Sequence, residues 1–252
     1  MYIIFTIGTA GSGKSLLTST FSDWLKLKKQ KVIAVNLDPG VSNLPYTPDI
    51  DIREYISLGD IMDKYELGPN GALIMAADLI ATEIETLRND IEEYNADYVL
   101  IDTPGQLELF AFRASGPYIV NEISEDLKVM LYLFDSTFSV NPQNYVSNIF
   151  LASAVYTRFT LPMIHILSKT DMIPKKEVTK ILEWSESDDT LAEAIEETSS
   201  DIKRLMNRGL MRLFSNLGLS IALVPVSSTK DEGFVNLHAA LMRIFAAGEE
   251  II

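Results

Sequence analysis

The octet GTAGSGKS, Gly8 to Ser15, constrains this chain more than any other feature. It follows the apolar run Tyr2 to Ile7 and precedes Leu16, Leu17, Phe21 and Leu25, so a strand, a glycine-rich turn and a helix are predicted in immediate succession. Small residues let successive backbone N–H groups, those of Gly11, Ser12 and Gly13 among them, curl round an anion at the helix N-terminus. Lys14 then reaches the terminal phosphates of a nucleotide, and the Ser15 hydroxyl is offered to Mg²⁺. A plain glycine-rich turn carries the same letters. The strand before it and the helix after it select the phosphate-binding reading.

Further apolar, β-branched runs lie at Val32 to Val35, Tyr98 to Ile101, Val129 to Phe134, Met163 to Leu167 and Ile221 to Val226. Helical patterns fall at Ser15 to Lys28, Ala76 to Tyr94, Gly116 to Ile123, Pro142 to Tyr156, Lys175 to Trp184, Leu191 to Leu217 and Gly233 to Ala247. Strands alternating with helices predict an α/β three-layer sandwich of the P-loop NTPase kind, a mostly parallel sheet with helices on both faces. A chain of 252 residues, 47% of them hydrophobic, suits one such domain over 1–252. The acidic stretch at about 174–217 reads as a helical insertion on one side of the core, either a solvated face or a surface for a partner.

Composition excludes several classes. There is no cysteine, and His165 and His238 are the only imidazoles, so disulfides, thiolate zinc sites and iron–sulfur ligation are ruled out. Both histidines read as structural, His165 on a strand between Ile164 and Ile166 and His238 on the last helix. A formal net charge of −14 opposes contact with nucleic acid or anionic lipid. No apolar run reaches about eighteen residues and no signal peptide opens the chain, so a soluble cytoplasmic protein without a membrane partner is expected.

Four more segments carry chemistry, and each lies at the carboxyl end of a predicted strand, where ligands of such folds bind. IDTPGQ, Ile101 to Gln106, places Asp102 to hold Mg²⁺, through a water, and the Gly105 N–H to sense a γ-phosphate; an aspartate there is also a common turn former. SKTD, Ser168 to Asp171, resembles the guanine-reading NKxD motif: Asp171 would accept from N1–H and the exocyclic amine, and the Lys169 stem would stack on the ring. The usual Asn is Ser168, which removes an amide that braces base and phosphate loop. VSST, Val226 to Thr229, offers N–H groups near Ser227 and Ser228 to the guanine O6. NLDPG, Asn36 to Gly40, brings Asp38 to the same region, functionally or as a turn residue. LGPNG, Leu67 to Gly71, has the local chemistry of a turn and helix start.

GTAGSGKS, NLDPG, LGPNG, DTPGQLELF, FDSTFSVNP and LSKTD occur in the order found in GPN-loop GTPases, and the chain resembles that family densely to about Asp171 and more loosely beyond, through VPVSS. The resemblance implies a dimerising P-loop G domain that hydrolyses GTP to GDP, with a GPN-loop segment at about 50–78. It implies that Asn70 is presented to the phosphates across a homodimer interface, that Asp38 and Gln106 position or activate the attacking water, and that Ser15 and Asp102 serve Mg²⁺. Lys14 completes the catalytic set. It also makes an unknown protein client, and a role in assembling a macromolecular complex, conceivable.

Two readings compete. A partitioning or metal-delivery ATPase would carry a lysine at the second loop position, where this chain has Thr9. A nucleotide-locked interaction module would bind GTP without turning it over, and the set Lys14, Ser15, Asp38, Asp102 and Gln106 argues against it. Arg113 reads as a helix-surface residue or a cationic finger; Phe110, Phe112 and Tyr118 read as core or dimer-interface aromatics.

Overall fold

In a computed structural model describing residues 1–198 and 221–249, a seven-stranded parallel sheet has the order β3-β2-β4-β1-β5-β6-β7. The strands are β1 (Tyr2–Gly8), β2 (Val32–Asn36), β3 (Ile50–Asp51), β4 (Tyr98–Asp102), β5 (Leu127–Asp135), β6 (Met163–Ser168) and β7 (Leu223–Pro225). Six match the sequence reading. The seventh, β3, is two residues long and pairs Val35 with Ile50 and Asn36 with Asp51, too short for a periodic signal.

Alternation along β1 explains the layers. Ile3, Phe5 and Ile7 point into one buried cluster and Ile4 into another across the sheet. The second is closed by α1 (Lys14–Leu27), through Leu17, Phe21 and Leu25, and by the helix Phe234–Glu249, through Phe234, Leu237, Leu241 and Phe245. The first is covered by α2 (Leu58–Tyr65), α3 (Pro69–Leu79), α4 (Ile84–Glu93), α5 (Leu107–Phe110), α6 (Ser115–Glu122) and α8 (Pro142–Phe159), and by α9 (Lys175–Glu186) and α10 (Asp188–Thr198), while the short α7 (Ser136–Ser139) links β5 to α8. Three layers result, as expected.

Details differ from the sequence pattern. The helix expected over Ala76 to Tyr94 starts earlier, where Gly68 caps and Pro69 opens α3, and a short 3₁₀ turn, Ile80–Glu83, divides α3 from α4. The acidic stretch is no mere appendage in its described part, because Ile181, Leu191 and Ile195 are buried in the sheet's own core. The rest of the helix expected over Leu191 to Leu217, from 199 on, lies outside the described residues. Phe110 is core, whereas Phe112 and Tyr118 are 42% and 48% exposed. His165 packs against Phe134 and Tyr132, and burial pushes its imidazole down to about 4, so it is a neutral structural ring. His238 is likewise structural, its ring against Trp24 and Tyr98. Among the described residues no helix is long and apolar enough to cross a membrane.

Candidate functional site

β1 sits between β4 and β5, with Thr6 opposite Asp102 and Gly8 opposite Leu133, so the loop leaving β1 opens at the centre of the carboxyl edge. Thr6 Oγ1 meets Thr18 Oγ1 at 3.1 Å, and Thr103 Oγ1 donates to the Thr6 carbonyl at 2.7 Å, tying β1, α1 and the segment after β4 into one frame. Within the loop, Gly11 and Gly13 hold φ of +74° and +97°, backbone that glycine adopts without strain. Gly13 caps α1 with no side-chain acceptor of its own, which leaves the first N–H groups of the helix for an anion.

Lys14 is buried, and its Nζ donates to the carbonyls of Gly8 and Thr9, both at 3.1 Å, and of Gly105 at 3.4 Å. Burial lowers its pKa, and Asp102 and Asp38 pull it back. One ammonium therefore ties the phosphate loop to the loop after β4, where terminal phosphates would meet it. The Gly105 N–H donates to Asp38 Oδ2 at 2.7 Å, while Asp38 Oδ1 accepts from Gly40 N–H at 2.9 Å. An internal carboxylate thus stands where a γ-phosphate was expected. Asp38 lies beside Lys14 and Gly105, and its carboxylate holds the Gly105 N–H.

Asp102 is 1% exposed. Its Oδ2 accepts from the Tyr46 hydroxyl at 3.2 Å, and its Oδ1 is buried with no hydrogen-bond partner among the described residues. Burial pushes this carboxyl up to about 6, against the Ser15 hydroxyl, the Lys14 ammonium and Tyr46. A buried carboxylate oxygen without a donor, beside a serine hydroxyl at a helix start, fits Mg²⁺, an ion that commonly takes one or two protein oxygens and completes its shell from phosphates and water. Ser15 and Asp102 are the residues that would hold it. Tyr46 was not anticipated; its only sequence signal is a lone tyrosine between Pro45 and Pro48 after NLDPG.

At the base end, Ser168 Oγ donates to the Ser12 carbonyl at 2.8 Å and lies 3.1 Å from the Phe134 carbonyl. The expected loss of the brace to the phosphate loop is therefore corrected, since the shorter hydroxyl reaches the loop. Asp171 accepts from Ser227 Oγ at 2.7 Å and Thr229 Oγ1 at 2.8 Å. These hydroxyls, Ser227 foremost, hold it below the usual carboxylate range, so it is an ionised acceptor pair. The Ser227 N–H, expected to face the guanine O6, donates to the Glu232 carbonyl at 3.0 Å, and the Ser227 hydroxyl braces Asp171. Lys169, at φ +57°, passes its stem over Gly13, where an added Cβ would lie 3.8 Å from Lys169 Cε.

Gln106 and Asn70 are exposed, and their side chains hydrogen-bond to none of these residues. Arg113, expected as a helix-surface residue or a cationic finger, is partly exposed with its guanidinium in a two-pronged contact with Asp78 of α3, which also accepts from Ser115 Oγ at 3.0 Å. That contact ties the chain after DTPGQ to the helix whose first turn carries Asn70.

Comparisons with known proteins follow the same architecture. Residues 6–247 match a family model described as a conserved hypothetical ATP binding protein. The chain is 33% identical over 240 residues to a GPN-loop GTPase of Pyrococcus abyssi, covering 94% of each. It is 34% identical to GPN-loop GTPase 1 of Saccharomyces cerevisiae, covering 92% of this chain and 62% of that protein, and 30% identical to GPN-loop GTPase 1 of Dictyostelium discoideum, covering 91% and 58%. It thus spans about three-fifths of the length of these two longer relatives. A crystal structure of a GTPase in apo form from Pyrococcus abyssi superposes with a TM-score of 0.84 at 31% identity, covering 97% of both chains.

Proposed function

Because the chain belongs to the GPN-loop GTPase family, we propose that it binds and hydrolyses GTP in the cytoplasm as a homodimeric switch whose nucleotide state is read by a protein client, as in the assembly of a larger complex. The observation that carries this reading is the single frame in which Lys14, Asp38 and Gly105 meet at one end and Ser12, Ser168 and Asp171 at the other. Asp171 decides the base. An ionised carboxylate with both oxygens oriented by hydroxyls accepts from two guanine donors, and adenine would leave it unpaired.

Ser15 and Asp102 would hold Mg²⁺, which would supply neutralisation of the charge that develops on the phosphates. The protein's own work is positioning. Lys14, released from the carbonyls it now holds, pairs with the terminal phosphates, and the Gly105 N–H, released by Asp38, turns to the γ-phosphate. The freed Asp38 carboxylate can then accept a proton from the attacking water, and Gln106 can orient that water through its amide. Asn70 is exposed at the start of α3, which suits a residue that acts on the partner's phosphates in a dimer. Exposed Ile74 on the same helix, with Phe112 and Tyr118, offers apolar area for that contact.

Hydrolysis of GTP and ATP is measured side by side with Mg²⁺ over a range of protein concentrations, with Asn70→Ala in parallel. The expected result is preference for GTP, specific activity that rises with concentration, and a variant that binds GTP but hydrolyses it slowly. ATP preference overturns the base assignment, and activity independent of concentration overturns the dimer. Absence of turnover leaves a binding module.

A further inference from the structure

We propose that Asp135 is the positioning residue of the base site, holding the Lys169 ammonium so that the lysine stem lies as a fixed platform for the guanine ring. The inference rests on the guanine reading above and extends it to a residue outside the motif that reads the base.

β5 and β6 run in register with Asp135 opposite Ser168, so the strand ends FDST and SKTD emerge side by side at the carboxyl edge. Asp135 divides its two oxygens between two tasks. Oδ1 accepts from the Thr137 N–H at 2.9 Å and Thr137 Oγ1 at 2.7 Å, which caps the short helix α7. Oδ2 accepts from Lys169 Nζ at 2.7 Å. The neighbouring Ser136 hydroxyl donates to the Lys169 carbonyl at 2.8 Å, so one dipeptide grips both ends of the lysine. With the Nζ anchored by Asp135 and the backbone carbonyl held by Ser136, the methylenes between have little freedom, and Cε lies on the side of Gly13 that a Cβ would occupy.

Physical chemistry makes that anchoring consequential. A lysine stem is flexible and its ammonium is strongly hydrated, so an unanchored Lys169 samples solvent and offers no constant apolar surface. The pair is partly buried, with side-chain exposures of 33% for Lys169 and 16% for Asp135, which favours a persistent contact over a surface ion pair of little effect. The ordering is done before the nucleotide arrives, and affinity for the nucleoside part rises accordingly. The phosphates, seated at Lys14 and the helix start, gain nothing from it.

The test measures equilibrium affinity for GDP and for inorganic pyrophosphate, which lacks the base, in the unmodified protein, Asp135→Asn, Lys169→Ala and the double variant. Asparagine keeps an acceptor for Thr137 and so preserves the α7 cap while removing the charge that holds the lysine. Expected is a GDP affinity about five- to tenfold weaker in Asp135→Asn, unchanged pyrophosphate affinity, and a double variant no weaker than Lys169→Ala alone, the mark of two residues acting as one unit. If Lys169→Ala weakens GDP and Asp135→Asn does not, the positioning role is overturned and the base site stands. Equal losses for GDP and pyrophosphate in Asp135→Asn also overturn it, by showing a general disturbance. If Lys169→Ala binds GDP normally, the reading of the base site fails and this proposal with it.

Discussion

Asp38→Asn separates two roles that the geometry assigns to one carboxylate. Asp38 Oδ2 accepts from the Gly105 N–H at 2.7 Å, so a γ-phosphate that binds that N–H must displace it. Asparagine keeps the size and one oxygen, and that oxygen can still accept from the Gly40 N–H at 2.9 Å. The amide NH₂ then faces the Gly105 N–H, donor against donor, and the internal competitor is gone. A hydrogen bond to a charged group contributes about 1.5–3 kcal/mol net. Gly105 is half-buried, so the lower part of that range applies, and about 1.5–2 kcal/mol corresponds to a roughly 10- to 30-fold gain in affinity. The gain belongs to ligands with a γ-phosphate, because GDP does not compete for that N–H. Turnover moves the other way: loss of a group that accepts the water's proton costs on the order of 10²- to 10⁴-fold. The assay is titration with a non-hydrolysable GTP analogue and with GDP, followed by single-turnover hydrolysis of GTP. A variant that binds the analogue no better than the unmodified protein, or that hydrolyses GTP at the normal rate, refutes the argument.

Three more predictions follow from the geometry. Burial raises Asp102 to about 6 from an ordinary 3.8, so its contribution to the nucleotide-free fold is full below pH 4 and is lost as pH rises through 6, a swing of about 3 kcal/mol; Asp102→Asn therefore raises the nucleotide-free Tm at pH 8 while abolishing the Mg²⁺ dependence of GTP binding, and a lower Tm contradicts the burial argument. Asp171→Asn shifts base preference from guanine toward xanthine nucleotides, and retained guanine selectivity in competition binding removes Asp171 from the base site. A Cβ at Gly116 would lie 1.8 Å from the Phe110 carbonyl oxygen, a backbone atom that cannot step aside, so Gly116→Ala costs at least about 2 kcal/mol and lowers Tm by roughly 4–8 °C in thermal unfolding; an unchanged Tm would show that α5 and α6 can separate freely.

The elements most readable in the sequence were those whose own residues enforce them. Tyr2 to Ile7 and Leu17, Phe21 and Leu25 declared a strand and a helix by period alone, and the glycines between them left only one kind of turn. The chemistry at the ends of β4 and β6 was readable for the same reason, because a buried strand delivers its last polar residue to a known edge. What stayed hidden depends on residues distant in the chain. β3 exists because Asp51 accepts from Asn36 Nδ2 at 2.9 Å and pairs with Arg53, contacts that leave no periodic trace. Ser168 looked deficient by its letter, yet a hydroxyl spans to Ser12 because β6 ends close enough to the phosphate loop. The Ser227 N–H looked free for the guanine O6, yet it donates to the Glu232 carbonyl. Tyr46 and Asp135 act through single side chains near other loops, and nothing local marks a residue whose partner lies 56 or 34 positions away.

The contact between Arg113 and Asp78 gives α3 a mechanical character. Asp78 stands near one end of that helix and Asn70 near the other, eight residues apart, or about 12 Å at 1.5 Å per residue. A stiff rod gripped at Asp78 works as a lever arm: a tilt of about 10° at the grip sweeps the Asn70 end through about 2 Å. The grip is attached to the chain that leaves Gly105, whose hydrogen bond must change when a phosphate arrives. A shift at that N–H, were it to reach the grip, would be felt at the exposed Asn70 end of the helix.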